Sequence, residues 1–277
     1  MAKYEGLAHE LSRLVASGGP QAPLRICEAV VASSLADGAA VTLISDPDRQ
    51  EPICATDEIA TRLDELQFNL AEGPCLDAHT LGHPVLVSDI ADTADTRWPG
   101  FADGARATSA RALYALPMRI GGARLGILDL YRLEHGPLSR EEVTMALRAA
   151  DAATWAVLNP AVSGRQAPPE LLEDLIGGGL ARAEVHQATG MVAVQLGVPV
   201  ATALARLRAH AFAQDRPLID VARDVVARRL TLEPNTGPTD RPTGHEQTDR
   251  DNGRGNDRGN DDGNDDDGHN GHDTDLA

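Results

Sequence analysis

The stretch from Val185 to Leu230 allows few folds. Apolar residues recur there at three- and four-residue spacing in three short runs, and Pro199 and Pro217 stand where the second and third runs begin. Proline is tolerated in the first turn of a helix but not in its interior. The pattern therefore predicts three short amphipathic helices with two breaks. Arginines fill much of the polar surface, and no catalytic cluster or metal-ligand spacing accompanies them. A small helical unit of this kind, at the end of a larger acidic region, reads as an output module.

The distribution of charge singles out the same segment. The 277-residue chain has a formal net charge of −17. Residues 1–164 hold 13 Lys+Arg against 22 Asp+Glu, and residues 233–277 hold 4 against 13, so each region carries −9. Residues 165–232 hold 8 against 7, a net of +1, and only there does the chain not repel a polyanion. The cysteines Cys27, Cys54 and Cys75 contain no CxxC pair and signal neither a disulfide framework nor a zinc site. Glu5 and Glu10 interrupt any secretory apolar region, and no apolar run approaches the roughly 18 residues of a membrane helix. These features predict a reduced, cytoplasmic protein with no membrane partner.

The preceding residues alternate between helical and strand patterns. Residues 1–16 and 22–35 read as helices, Ala39–Ser45 as a strand, Asp46-Pro47-Asp48 as a turn and Pro52–Thr56 as the returning strand. Asp57–Leu66 is an amphipathic helix, Pro74 opens a short helix ending near Gly82, and Val85–Ser88 is a strand. Leu113–Ile120 and Arg124–Tyr131 flank Gly121-Gly122-Ala123, a hairpin signal. Ser139 and Glu142 form a capping box for a helix running to about Leu158. This order predicts an α+β domain, an antiparallel sheet flanked by helices, over residues 1–160. A linker follows over 161–169, then an all-α three-helix domain over 170–232. Gly177-Gly178-Gly179 inside a helix would cost about 3 kcal/mol relative to alanine, which predicts a joint before a first output helix over Leu180–Leu196. Residues 233–277, dominated by Asp, Gly and Asn, are predicted to be a disordered acidic tail. No calcium-loop register fits its glycines, and no metal or cofactor is expected.

Two resemblances rest on specific residues. Ala188 and Gly190, then Ala203, Leu207 and Ala211, then Leu218, Ala222, Val225 and Val226, make the C-terminal segment resemble an ANTAR domain. That module is the three-helix RNA-binding output of bacterial antitermination regulators. Where many members carry lysine between the Ala and Gly of the first helix, this chain has Thr189. The larger domain resembles a GAF domain, a small-molecule-sensing or dimerising module. Ala71-Glu72-Gly73-Pro74-Cys75 carries that likeness, with Pro84-Val85-Leu86-Val87 and Asp89, with Arg97-Trp98-Pro99, and with the hairpin from Leu116–Ile120 to Gly126–Leu128. The two together imply a homodimer that receives a small-molecule or protein signal and binds tandem RNA stem-loops to promote antitermination. No nucleophile–base pair, phosphate loop or metal box is present, so no enzymatic activity is expected.

Candidate site residues follow from helical spacing. Arg206, Arg208 and His210 lie on the second output helix. Arg216 and Arg223 are seven apart and share a face of the third, and Arg228 and Arg229 close it. Taken singly, Arg206, Arg208 and Arg223 read as well as solvated surface paired to Asp220 or Asp224 as they do as RNA contacts, and Arg228 and Arg229 as well as compensation of a helix dipole. As a set, given the resemblance, they form the predicted phosphate-binding surface. Ala188, Gly190, Ala203, Ala211 and Ala222 are predicted to serve close helix packing. Ala188, Thr189 and Gly190 also mark where an RNA backbone would approach. Phe212 is predicted to be core, which leaves stacking to arginine planes. Glu72 and Cys75 form a candidate ligand or redox loop, because a helix start lowers a thiol pKa; the simpler reading is a buried structural thiol. His79 and His83 are expected at the surface. Two alternatives stand beside RNA binding: a DNA-binding helix-turn-helix, and a scaffold whose helices only dimerise. Pro217, Leu218, Ile219 and Asp220 at the start of the third helix do not suit a DNA reader.

Overall fold

Two apolar runs around a Gly-Gly turn form the centre of the sheet. The computed structural model describes residues 4–46, 49–92, 96–163 and 169–233, all within one compact unit, Met1–Pro234. Its strands are β1 (Gly38–Asp46), β2 (Arg49–Ala55), β3 (Val85–Val87), β4 (Ala112–Ile120) and β5 (Ala123–Arg132). They pair antiparallel throughout, in the order β2-β1-β5-β4-β3. Gly121, between β4 and β5, takes φ +58°, which the tight hairpin requires and glycine supplies without strain. Along β4 the side chains alternate between two cores. Ala112, Tyr114, Leu116 and Met118 face one, Leu113 and Ala115 the other.

Helices cover both faces. The first core is closed by α1 (Glu5–Ser17), α2 (Ala22–Ala32) and α6 (Arg140–Ser163). The second is closed by α3 (Glu58–Leu70), α4 (Pro74–Leu81) and α5 (Pro99–Arg106). The capping box forms as expected: the Glu142 N–H donates to Ser139 Oγ at 3.3 Å, and the Ser139 N–H donates to Glu142 Oε2 at 2.8 Å. Asp57 caps α3 by accepting from the Ala60 N–H at 2.9 Å. The helix α5, PGFADGAR, carries a single apolar pair at helical spacing, Phe101 and Ala105, too little to signal a helix from the sequence. It is fixed instead by Pro99 in its first turn and by buried Phe101 and Ala105.

The output module is α7 (Pro169–Leu196), α8 (Val200–Ala213) and α9 (Leu218–Val226). Leu204, Leu207, Val221 and Val225 are buried, and Ala188, Ala203, Ala211 and Ala222 let the three helices approach closely. The joint expected at Gly177-Gly178-Gly179 is absent, because α7 runs through it. Helix propagation is cooperative, so a local propensity cost does not interrupt a helix continued on both sides. Helix α6 extends past the expected end at Leu158, through Pro160, to Ser163. The rest of the expected linker, 164–168, the turn residues 47–48 and the tail from 234 onward lie outside the described residues. Among the described residues no single helix is long and apolar enough to cross a membrane.

Candidate functional site

Two places concentrate polar chemistry: a buried cluster where α3 meets α7, and the solvent face of the output helices. The first is built on α3. Ala60, Leu63 and Leu66 turn into the second core of the sheet domain. Asp64 and Gln67, one turn apart, are buried beside them, and Phe68 points elsewhere. Phe68 is 2% exposed and belongs to the core of the output helices. A residue of the sheet domain thus fills the hydrophobic centre of its neighbour.

Arginines of the output module clasp that ring. The Arg182 guanidinium on α7 lies 4.4 Å from the Phe68 ring centroid, and that of Arg208 on α8 lies 5.4 Å away. His186 meets the same ring edge-on at 6.1 Å between centroids. Arg208 Nη2 also donates to the Phe68 carbonyl at 2.8 Å, placing a cation at the C-terminal end of α3. Arg182 Nη2 reaches Asp64 Oδ2 at 2.5 Å, and both side chains are buried. Thr42 on β1 donates its hydroxyl to Asp64 Oδ1 at 2.6 Å. Burial, with the nearby charge of Arg182, pushes the His186 pKa down.

Beneath Asp64 lies a second carboxyl. Asp129 on β5 accepts from Gln67 Nε2 at 3.3 Å through Oδ2, while its buried Oδ1 has no partner among the described residues. Burial first, then the charge of Asp64, pushes Asp129 up to about 8. The two carboxyls line a cavity of about 10 Å³ with Ala40, Ala60, Leu63, Leu113 and Tyr131, enough for about one water. Gln67 turns its Oε1 to the Cys75 N–H at 2.8 Å. Gly73, at φ +139°, leaves room for this: a β-carbon there would sit 2.6 Å from the Gln67 side chain.

This geometry decides the roles in the loop of Glu72 and Cys75. Glu72 Oε1 accepts from the Phe101 N–H at 2.6 Å and so anchors the first turn of α5. Cys75 is fully buried, and burial together with Asp129 and Asp64 pushes its thiol well above the ordinary value. The direction is opposite to the lowering that a helix start gives. His83 is exposed, whereas His79 is half-buried and its pKa is lowered chiefly by burial.

The candidate RNA face divides. Arg216 and Arg229 converge on Asp224, at 2.7 Å and 2.8 Å, and their hydrogen bonds hold that carboxyl below its usual value. Arg223 pairs with Glu184 on α7 at 2.8 Å and with Asp220 at 3.6 Å. Arg206 is half-buried and Arg228 exposed, neither with an acidic partner among the described residues. His210 is half-buried, and its Nε2 has no partner among the described residues. Arg208 is turned onto α3 rather than to solvent. Ala188 and Thr189 are buried, and the Thr189 hydroxyl returns to the Val185 carbonyl at 2.7 Å.

Two expectations about this face are corrected. Gly190 is exposed, with nothing within 4 Å of where a β-carbon would stand, so it serves no packing contact. Phe212 is 80% exposed. The buried ridge of α8 is Leu204, Leu207 and Ala211, and Phe212 stands one residue, about 100°, beyond it. Asp64, Phe68, Asp129 and Arg182 were not singled out from the sequence. Asp64 and Arg182 are 118 residues apart, and no local spacing signals their pairing.

Comparison with known proteins places these features in families. A GAF domain model matches residues 24–157, and an ANTAR domain model matches residues 180–226. Among solved structures, the GAF domain of a phosphoenolpyruvate-protein phosphotransferase from Coxiella burnetii is 15% identical, with TM-score 0.45 over 57% of this chain and 95% of that one. A free methionine-R-sulfoxide reductase from Neisseria meningitidis is 13% identical, with TM-score 0.45 over 58% and 91%. No curated protein matches the chain.

Proposed function

The chain carries a GAF domain followed by an ANTAR domain, two regulatory modules, and from that architecture we propose a cytoplasmic, non-enzymatic regulator that binds tandem RNA stem-loops and promotes transcription antitermination. The carrying observation is the exposed surface of α8 and α9. It presents half-buried Arg206, exposed Arg223 and the solvent-facing ring of Phe212, while Arg216 lies in the turn before α9 rather than on a shared face of it, and Arg228 and Arg229 follow its last turn. The carboxylate partners of Arg216, Arg223 and Arg229 are at the surface, where solvent screening leaves an ion pair weak. RNA phosphates can replace Asp224, Glu184 and Asp220 at little cost. Phe212 offers a stacking platform for an unpaired loop base. The N-terminal end of α9 buries Leu218 and presents Asp220, which does not suit the major groove of DNA.

Stabilising an antiterminator hairpin removes bases that a competing terminator needs, and a few kcal/mol of differential binding moves such a switch strongly. The GAF domain tunes this through the α3 joint, where Asp64 and Phe68 hold Arg182 and Arg208. A homodimer would present two RNA-binding modules to two stem-loops. The α6 face bearing exposed Leu147 and Trp155, eight residues apart, is suited to pairing.

The test is binding of the full chain to a two-hairpin RNA, a scrambled RNA and duplex DNA across a salt series. The hairpin RNA should bind best, with log affinity falling linearly with log salt. Combined Arg206→Ala, Arg216→Ala and Arg223→Ala should weaken binding without unfolding the protein. Equal weak affinity for all three nucleic acids would refute the reading.

A further inference from the structure

Two cysteines that share no sequence motif are brought together by the fold. Cys27 lies on α2 and Cys54 near the end of β2, and their Sγ atoms are 3.9 Å apart. Cys27 is fully buried in the core beneath α1, α2 and α6. Cys54 packs against that same core but is only half-buried. Both are free thiols. A disulfide holds its sulfurs about 2 Å apart, so the pair must close by about 2 Å. The hydrogen bond between the sulfurs, and then burial, push the Cys27 thiol well up. It therefore stays protonated and unreactive by itself, and Cys54 is the sulfur that a dissolved oxidant meets.

We infer that Cys27 and Cys54 form a redox site, closing to a reversible disulfide when a hydroperoxide oxidises Cys54. In the first step the Cys54 thiolate attacks the outer hydroperoxide oxygen and the O–O bond breaks. Cys54 becomes a sulfenic acid, and the hydroperoxide leaves as water or an alcohol. In the second step the Cys27 sulfur attacks the sulfenic sulfur. Its proton leaves with the displaced hydroxyl as water, and the S–S bond forms. Two thiols together lose two electrons and two protons, and the hydroperoxide is reduced. A thiol reductant reverses the bond by exchange.

The position gives the site a consequence. A Cys27–Cys54 bond ties α2 to β2, an edge strand of the sheet. The output helix α7 packs on that same strand, so oxidation stiffens a surface on which the output module rests. Neither the site nor this coupling depends on the RNA reading. Cys75 is an internal control, because it is fully buried and has no sulfur beside it among the described residues.

The full chain is reduced, exposed to hydrogen peroxide, alkylated in denaturant and mapped by mass spectrometry. The expected product is a peptide pair linked through Cys27 and Cys54, with Cys75 alkylated, and dithiothreitol restores all three thiols. In Cys27→Ser, Cys54 should accumulate as a sulfenic acid trapped by a dimedone-type reagent. In Cys54→Ser, oxidation of Cys27 should slow by about tenfold or more, as expected for a buried thiol. The site is overturned if the wild-type chain gives sulfinic acid at Cys54 with Cys27 still alkylable, or if all three thiols survive. The wild-type map decides this even if a variant fails to fold. Amide exchange along α7 should differ between reduced and oxidised protein, and identical exchange would overturn the coupling.

Discussion

Replacing Asp129 by asparagine tests the account of the buried polar core. In the folded chain burial and the neighbouring Asp64 raise Asp129 to about 8. In the unfolded chain an aspartate titrates near 4. The folded state therefore keeps a proton that the unfolded state has already released over that interval. Stability is fully present below about pH 4, falls as pH rises towards about 8, and then levels. Each pH unit is worth about 1.4 kcal/mol, so the loss accumulated by pH 7 is about 4 kcal/mol at most. Asparagine ionises in neither state, and its side-chain oxygen can still accept from Gln67 Nε2. Asp129→Asn should therefore raise the denaturation midpoint at pH 7 and flatten the decline between pH 4 and pH 8. The two proteins should converge near pH 4. Urea unfolding followed by circular dichroism at several pH values reads this directly. A variant destabilised equally at pH 4 and pH 8 would refute the reasoning, because Asp129 would then be paired and ionised in the native protein.

Asp64→Asn leaves the buried Arg182 charge uncompensated. It should cost about 3–5 kcal/mol, seen as faster amide exchange across Val185–Leu196, whereas unchanged exchange would mean that the pair does not hold the joint. Phe68→Ala removes a ring that is 2% exposed and should cost about 3–5 kcal/mol, measured as a lowered thermal midpoint; a neutral result would place the ring outside the output core. Phe212→Ala, at an 80% exposed position, should leave the midpoint within about 0.5 kcal/mol. The same change should weaken hairpin-RNA binding by about 1–3 kcal/mol if a base stacks on the ring, so full affinity in that variant would remove Phe212 from the interface.

Much of this protein was legible in local pattern. The Gly121-Gly122 hairpin, the Ser139–Glu142 capping box, the Pro74 helix start and the close-packed Ala203 and Ala211 of the second output helix each depend on residues a few positions apart. Spacing encodes them directly, because dihedral preference and side-chain direction are local. Phe212 shows the limit of the same signal. Its hydrophobicity predicts burial, but one residue is 100° of helix, and the ridge had already been filled.

The sequence alone also determined the charge contrast and the motif residues that mark the two families. Tertiary structure decided what those residues do. It set Arg182 and Arg208 against the Phe68 ring, turned Arg208 onto α3, buried Asp129 beside the charge of Asp64, and brought Cys27 to within 3.9 Å of Cys54. Each depends on a contact between residues far apart in the chain. Burial and electrostatic coupling belong to the assembled environment rather than to any residue type, so no local spacing carries them.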